Sequence, residues 1–203
     1  MSTSIVPTKG NLIALKKSSE LAKVGFELMD KKRNILIREM MALIKHANEI
    51  QDKIDIIYTN AYKALQMANV TLGICHELSE TVPVDESLSL SYRSVMGVEI
   101  PLVFIEEPKQ ADLPFGLYNT DSTLDEAYRK FIEVKKLTAG LAEIENSIYR
   151  LADAICKAQK RANALKNIVI PRFLENIKYV SDALEEKDRE DFSRLKVIKS
   201  RKG

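Results

Sequence analysis

The side chains best suited to metal binding or nucleophilic chemistry are two histidines, His46 and His76, and two cysteines, Cys75 and Cys156. The histidines are thirty residues apart on one predicted helix, so they cannot bind the same metal ion. If His46 meets Cys156 across a helical hairpin, the pair supplies two ligands, whereas zinc sites use three or four protein ligands. We therefore predict no metal site and expect the histidines to pack or face solvent.

Phosphate chemistry and acid–base catalysis have equally little support in the sequence. Neither of the glycine motifs G-x-x-x-x-G-K-[ST] and G-x-G-x-x-G occurs. Carboxylates such as Glu143 and Glu185 are typical of solvated helix faces rather than of acid–base pairs. We therefore predict a non-catalytic protein that needs no cofactor.

A basic cluster, Lys31-Lys-Arg33 with Arg38, could bind nucleic acid or a phosphate-rich surface. It lacks interleaved aromatic residues, and the middle of the chain is acidic, so we expect no nucleic-acid partner. Arg33 occupies a position that an apolar residue would normally take. Two interpretations stay open: its stem packs while its charged head reaches solvent, or it meets a partner carboxylate.

Charge is segregated along the 203 residues although the formal net charge is only +2. Residues 1–45 carry nine Lys/Arg against four Asp/Glu, residues 46–156 nine against eighteen, and residues 157–203 thirteen against seven. No signal segment or apolar run long enough to span a membrane follows the first Met. Two cysteines do not make a disulfide framework, which favours a reducing, cytoplasmic environment.

Apolar or small residues recur at alternating steps of three and four from Leu12 to Leu78, a 3.5-residue period that is typical of a coiled-coil seam. Thr8 is the predicted N-cap of this helix. The same period returns from Leu124 to Leu184, with a weaker tail at Phe192, Leu195 and Ile198. Pro171 lies inside the second helix and predicts a bend there.

Between the helices, four prolines and two glycines exclude a continuous helix over residues 79–121. Alternation over residues 87–93, the short segment with Gly97 and the β-branched run over 98–105 predict a β-hairpin at about 87–105. Pro101 places its strand at an edge or a bulge. A lone hairpin is marginally stable in water, so we expect it to pack on the end of the helical pair.

These patterns predict an all-α fold: a long antiparallel two-helix coiled coil with a small β-hairpin-containing insert. The predicted divisions are an N-terminal coiled-coil helix (1–78), the insert (79–121) and a C-terminal coiled-coil helix (122–203). Pairing Leu78 with Leu124 sets Arg33 opposite residue 169, brings the two basic ends together and leaves Cys75 and Cys156 too far apart for a disulfide.

Two segments resemble the D subunit of the V-type (vacuolar and archaeal) rotary ATPases. The first is Pro7-Thr-Lys-Gly-Asn-Leu-Ile-Ala-Leu-Lys16 with Ala22-Lys-Val-Gly25 and Leu28-Met-Asp-Lys-Lys-Arg33. The second is Lys160-Arg-Ala-Asn-Ala-Leu165 with Ile170-Pro171, Ile177-Lys-Tyr179, Leu184-Glu-Glu-Lys-Asp-Arg-Glu190 and Arg194-Leu-Lys196. Together they cover about half of the chain.

The resemblance implies a non-catalytic central-stalk subunit that couples ATP hydrolysis or synthesis to proton or sodium transport. It implies a ring of A and B subunits around the paired termini, with the F subunit and the membrane-side subunit that seats the stalk at the other end. The chain would then lie in the cytoplasm, peripheral to the membrane and not inserted in it. The candidate partner contacts are basic residues near the termini: Lys9, Lys16, Lys31, Lys32, Arg33, Arg38, Arg161, Arg194 and Lys196.

Two other functions fit a helical pair with basic ends. A free-standing coiled-coil adaptor predicts a stable protein with which no ATPase co-purifies. A basic rod that binds anionic lipid or DNA predicts binding that falls steeply with salt.

Overall fold

A computed structural model describes residues 6–73, 82, 84, 86–105 and 120–202. Helix α1 spans Lys9–Leu72, strands β1 and β2 span Leu88–Val95 and Val98–Ile105, and helix α2 spans Ser122–Ala164. A π-helical turn, Leu165–Val169, joins α2 to helix α3, Ile170–Lys202. The predicted fold class is confirmed: long helical segments pack together, with a two-stranded antiparallel hairpin between them in sequence. Cys75, His76 and Leu78 lie outside the described residues.

The chain divides into two compact units. The terminal unit comprises Met1–Ile35 and Ile155–Gly203, and the central unit comprises Leu36–Ala154. In both units most of the buried helical residues belong to the 3.5-residue repeat, because a heptad pattern keeps one face of a helix toward its partner. Leu36 and Leu151 in the central unit and Val180 in the terminal unit are fully buried.

Two predicted helix starts are capped by side chains. The N–H of Asn11 donates to Oγ1 of Thr8 at 3.2 Å, so Thr8 is the N-cap of α1 as predicted. The N–H of Ser122 donates to Oδ1 of Asp121 at 2.7 Å, and the N–H of Leu124 donates to the Asp121 carbonyl at 2.9 Å. These bonds satisfy N–H groups that have no partner inside the helix.

The alignment of the helices differs from the predicted one. In the terminal unit Arg33 contacts Gln159, not residue 169. In the central unit Tyr58 contacts Thr138, and Thr71 contacts Thr123. A heptad pattern looks the same after a shift of one repeat, so periodicity alone cannot distinguish the two alignments. One consequence is that α3 continues past the start of α1, which leaves residues 185–201 exposed.

The hairpin turn has a left-handed backbone at both central residues, Met96 with φ 52° and Gly97 with φ 77°. Positive φ at both positions is the type I′ geometry, which matches the twist of two antiparallel strands. The register pairs Val95 with Val98 beside the turn and Leu88 with Ile105 at the open end.

The hairpin lies along the side of the helices, whereas the sequence predicts it on their end. Its contacts are with Glu39 of α1 and with Glu143 and Arg150 of α2, which lie well inside both helices. At the end of the pair, Ala68 and Leu124 are already covered by apolar neighbours that include Val82. The hairpin instead lies where polar side chains of the helices can satisfy its backbone.

The π-helical turn ends at Val169, two residues before Pro171. The N–H of Ile170 donates to the carbonyl of Leu165, five residues earlier. Proline has no N–H and its ring crowds the carbonyl four residues before it, so a wider turn at this point relieves a local conflict. The bend that Pro171 predicts stays a prediction.

Candidate interaction surfaces

The basic residues selected from the sequence differ in how much of each side chain is exposed to solvent. Most of them are exposed: Lys9, Lys16, Lys31, Arg38, Arg161, Arg194 and Lys196. Lys32 and Arg33 are half-buried. Among the described residues, no carboxylate forms an ion pair with Lys9, Lys16 or Lys31. These lysines of α1 therefore give the terminal unit exposed positive charges that no described carboxylate holds in an ion pair.

Arg33 is held inside the terminal unit. Its Nη2 lies 2.7 Å from Oδ1 of Asp30, one turn earlier, and its Nη1 donates to Oε1 of Gln159 at 2.7 Å. Gln159 in turn donates through Nε2 to Oδ1 of Asn163 at 2.8 Å. The carboxylate that Arg33 contacts thus belongs to Asp30 of its own helix, α1. Another N–H of the guanidinium donates to the amide oxygen of Gln159 on α2.

The charges at the end of α3 are partly compensated. Arg194 lies 3.6 Å from Oε2 of Glu190 and 3.8 Å from Oδ1 of Asp191. The ammonium of Lys196 lies 5.2 Å from the ring centroid of Phe192. Ion pairs this exposed contribute little to stability, so they leave the side chains free to exchange partners.

Two exposed apolar rows accompany the positive surface. On α1 the row consists of Leu21, Val24, Leu28 and Ile35, and on the end of α3 it consists of Phe192, Leu195 and Ile198. The α3 row is the weaker tail of the repeat that the sequence predicts for the seam, and Phe192 is 61% exposed because α1 does not reach it. The α1 row was missed, although its own spacing of three, four and seven residues would have indicated it.

In the central unit, three polar contacts attach the hairpin to the helices. Arg93 of β1 lies 3.1 Å from Oε1 of Glu39 on α1. The N–H of Val103 donates to Oε2 of Glu143 at 2.8 Å, and Arg150 donates to the carbonyl of Glu99 at 3.1 Å. We call these contacts the hairpin clasp. They fix the hairpin to both helices: to α1 by an ion pair, and to α2 by one acidic and one basic side chain that bond to the backbone of β2.

The side chains considered for chemistry do not assemble into a site among the described residues. His46 lies 3.7 Å from Oε2 of Glu49, one turn later, and both side chains are mostly exposed. Cys156 is an exposed free thiol. No three His, Cys, Asp or Glu side chains of the described part converge as a metal site would require. No described helix carries an apolar stretch long enough to cross a membrane.

Comparison with known proteins gives one consistent result. The family model for the D subunit of ATP synthase matches residues 11–200. The V-type ATP synthase D subunit of Thermotoga neapolitana is 42% identical over 200 residues, which cover 98% of each chain. The A-type ATP synthase D subunit of Pyrococcus abyssi is 36% identical over 97% of this chain and 94% of its own length. The protein of the same name in Methanobrevibacter smithii is 36% identical over 97% of this chain and 87% of its own length.

Proposed function

The chain belongs to the ATP synthase D-subunit family, and we propose that it is the non-catalytic central-stalk subunit of a V-type ATP synthase or ATPase. In this role it couples ATP hydrolysis or synthesis in a ring of A and B subunits to proton or sodium transport through a membrane rotor. The F subunit and the membrane-side subunit that seats the stalk are the further partners. The protein acts in the cytoplasm, peripheral to the membrane.

The observation that carries this proposal is helix α1, a single helix of 64 residues whose repeat positions pack against α2 or α3. A continuous helix with a buried seam resists twisting because every backbone hydrogen bond and every seam contact must deform together. The mean α-helix of globular proteins has only about 11–12 residues. A length so far above that mean suits a shaft better than a catalytic fold.

The surface of the terminal unit suits contact with a surrounding ring. Lys16 and Lys31 present charge with no described counter-ion, and Leu21 and Leu28 present apolar area on the same helix. Charge attraction between exposed groups is weak and long-ranged compared with apolar packing, so it holds the partner without fixing one angle of rotation. Acidic loops of the ring subunits are the expected counterparts.

The test is a pull-down of the tagged chain from its native lysate, with assays for ATPase activity and for bound subunits. We expect an active nucleotide-hydrolysing ring with a small stalk partner. The double variant Lys16→Glu/Lys31→Glu should reduce the recovered ring by about tenfold or more, since each reversed charge turns an attraction into a repulsion. Lys53→Glu reverses an exposed charge of the same helix in the central unit and serves as the control.

Two results would contradict the proposal. Recovery of the chain alone, with intact ATPase elsewhere in the lysate, would favour a free-standing coiled-coil adaptor. Equal losses of ring from Lys53→Glu and from the double variant would show that the terminal unit is not the ring-binding part.

A further inference from the structure

Strand β1 has one edge paired with β2 and one edge with no described partner. In an antiparallel pair, alternate residues direct their N–H and C=O groups toward the neighbouring strand or away from it. The N–H of Val103 and the C=O of Glu99 on β2 point away from β1, since the first bonds to Glu143 of α2 and the second to Arg150 of α2. Their register partners on β1, Leu90 and Ser94, therefore also direct their backbone groups away from β2.

The two outer edges of the hairpin are treated differently. The outer edge of β2 contains Pro101, which has no N–H to offer, and is covered by side chains of α2. Pro and covering elements are the devices by which proteins block pairing at a sheet edge. Within the part of the chain that the structure describes, the outer edge of β1 has neither: its eight residues, LSLSYRSV, contain no proline and no bulge, and seven of the eight are exposed. Their one charged side chain, Arg93, pairs with Glu39.

The open edge also carries an apolar row. Leu88, Leu90 and Tyr92 are 51%, 57% and 55% exposed, and they alternate with Ser89 and Ser91. By the register, the three apolar residues lie on the same face as Pro101 and Val103 of β2. The guanidinium of Arg150 lies 5.5 Å from the centroid of the Tyr92 ring and helps to hold that end of the row in place.

We propose that the open edge of β1 receives an extended strand of another protein in the assembly, which makes the hairpin a three-stranded sheet. The strand would bond to the backbone of Leu88, Leu90, Tyr92 and Ser94 and place apolar side chains beside the apolar row, with polar side chains between them. An extended segment is the occupant because it alone offers free N–H and C=O groups at the same spacing, whereas a helix has already bonded its own. The inference rests on the proposed function only in taking the partner from the same assembly.

The test is residue-resolved amide hydrogen exchange on the full chain, free and in the purified complex. On assembly the outward amides of Leu88, Leu90, Tyr92 and Ser94 should slow by about tenfold or more, since each gains a hydrogen bond that opens only with the sheet. The inward amides of Ser89, Ser91 and Arg93 already bond to β2 and should change much less. This alternation distinguishes strand addition from simple covering of the hairpin.

Three variants make the test specific. Leu90→Pro removes one outward N–H and should abolish the slowing, while Leu90→Ala keeps that N–H and should retain most of it. Leu90→Lys keeps the hairpin bonds and puts a charge into the apolar row, so it should also weaken the slowing, even if Leu90→Pro fails to fold.

The contrary outcomes are separable. Equal exchange at outward amides in the free and assembled chains, or equal slowing at outward and inward amides, would overturn strand addition. Slowing in the isolated chain that grows with its concentration would assign the edge to a second copy and overturn it as well. If the ring and its ATPase activity are recovered with every variant, the proposed function stands even where strand addition is overturned. A wild-type chain that recovers no other protein of the assembly would overturn both the proposed function and strand addition.

Discussion

The carboxylate of Glu143 accepts a hydrogen bond from the backbone N–H of Val103 at 2.8 Å, across 40 positions of sequence. Helix α2 thereby bonds the outer edge of a strand whose neighbouring outward residue, Pro101, has no N–H. The hairpin is tied to the helices at this point by one charged group and one backbone amide. It is one of the three contacts of the hairpin clasp through which a local change in a helix would reach the sheet.

Glu143→Ala should loosen the hairpin without unfolding the helices. A hydrogen bond to a charged group contributes about 1.5–3 kcal/mol, so the amide of Val103 should exchange about tenfold faster or more. The variant Glu145→Ala removes an exposed carboxylate of the same helix and should leave that rate unchanged. An unaltered Val103 exchange rate in Glu143→Ala would mean that the hydrogen bond does not hold the strand.

Leu151→Asp should destabilise the protein strongly. Leu151 is fully buried in the seam, and an unpaired carboxylate there loses its hydration without gaining a partner. Changes of this kind cost about 3–5 kcal/mol, which a urea titration followed by circular dichroism would detect. Tyr149→Asp is the matched control because Tyr149 is 76% exposed two residues away. Equal unfolding midpoints for the two variants would rule out the proposed seam.

The sequence predicts the seam and the hairpin because both depend on local periodicity. Leu36, Leu151 and Val180 are buried where a 3.5-residue repeat requires it, and Gly97 lies in the turn between two strand-like runs. The alignment of the helices could not be predicted in the same way, since a shift of one heptad buries the same kinds of residue. It is specified by single polar contacts such as that of Arg33 with Gln159.

The position of the hairpin and the state of the candidate contact residues depend on pairs that are distant in sequence. Arg93 and Glu39 are two among many charged residues, and no pattern marks them as partners before the chain is folded. Composition indicates that the termini are basic. It does not indicate that Arg33 is bonded internally while Lys16 and Lys31 have no described counter-ion.

The carboxyl group of Glu126 should titrate below its usual range. A hydrogen bond from Lys130 and the charge of that ammonium, 2.6 Å away, lower the pKa of Glu126. Because the folded pKa is lower than the unfolded one, the pair stabilises the helix at pH values above the unfolded pKa, and this contribution is lost as pH falls through the folded pKa. In the variant Lys130→Gln the pKa of Glu126 should rise to its ordinary value, which a carbon-detected NMR titration would measure. An identical pKa in the wild-type protein and the variant would contradict the assigned cause.

Arg33 and Gln159 should be energetically coupled. Their side chains meet at 2.7 Å in a half-buried part of the terminal unit, so removing either one leaves the other without this bond. A double-mutant cycle with Arg33→Ala and Gln159→Ala should give a coupling free energy of unfolding of about 1 kcal/mol. The cycle of Arg161→Ala with Gln159→Ala is the comparison, because Arg161 is exposed on the same helix and should show no coupling. Additive effects in both cycles would assign Arg33 no role in aligning the helices.

Deleting residues 87–105 and closing the gap with a short glycine–serine linker should leave the helices intact and change the ATPase rate of the complex. The deletion removes β1 and β2 and no helical residue, so the far-ultraviolet ellipticity at 222 nm should stay as strong as in the full chain. The ATPase rate of the assembled complex should change, because the clasp between the hairpin and Glu39, Glu143 and Arg150 is lost and the open edge of β1 with it. Loss of helical signal would show that the hairpin is needed to build the helical pair. An unchanged ATPase rate with full helicity would show that the hairpin takes no part in coupling. Faster exchange of the Val103 amide in Glu143→Ala would then show that the clasp affects only the stability of the hairpin.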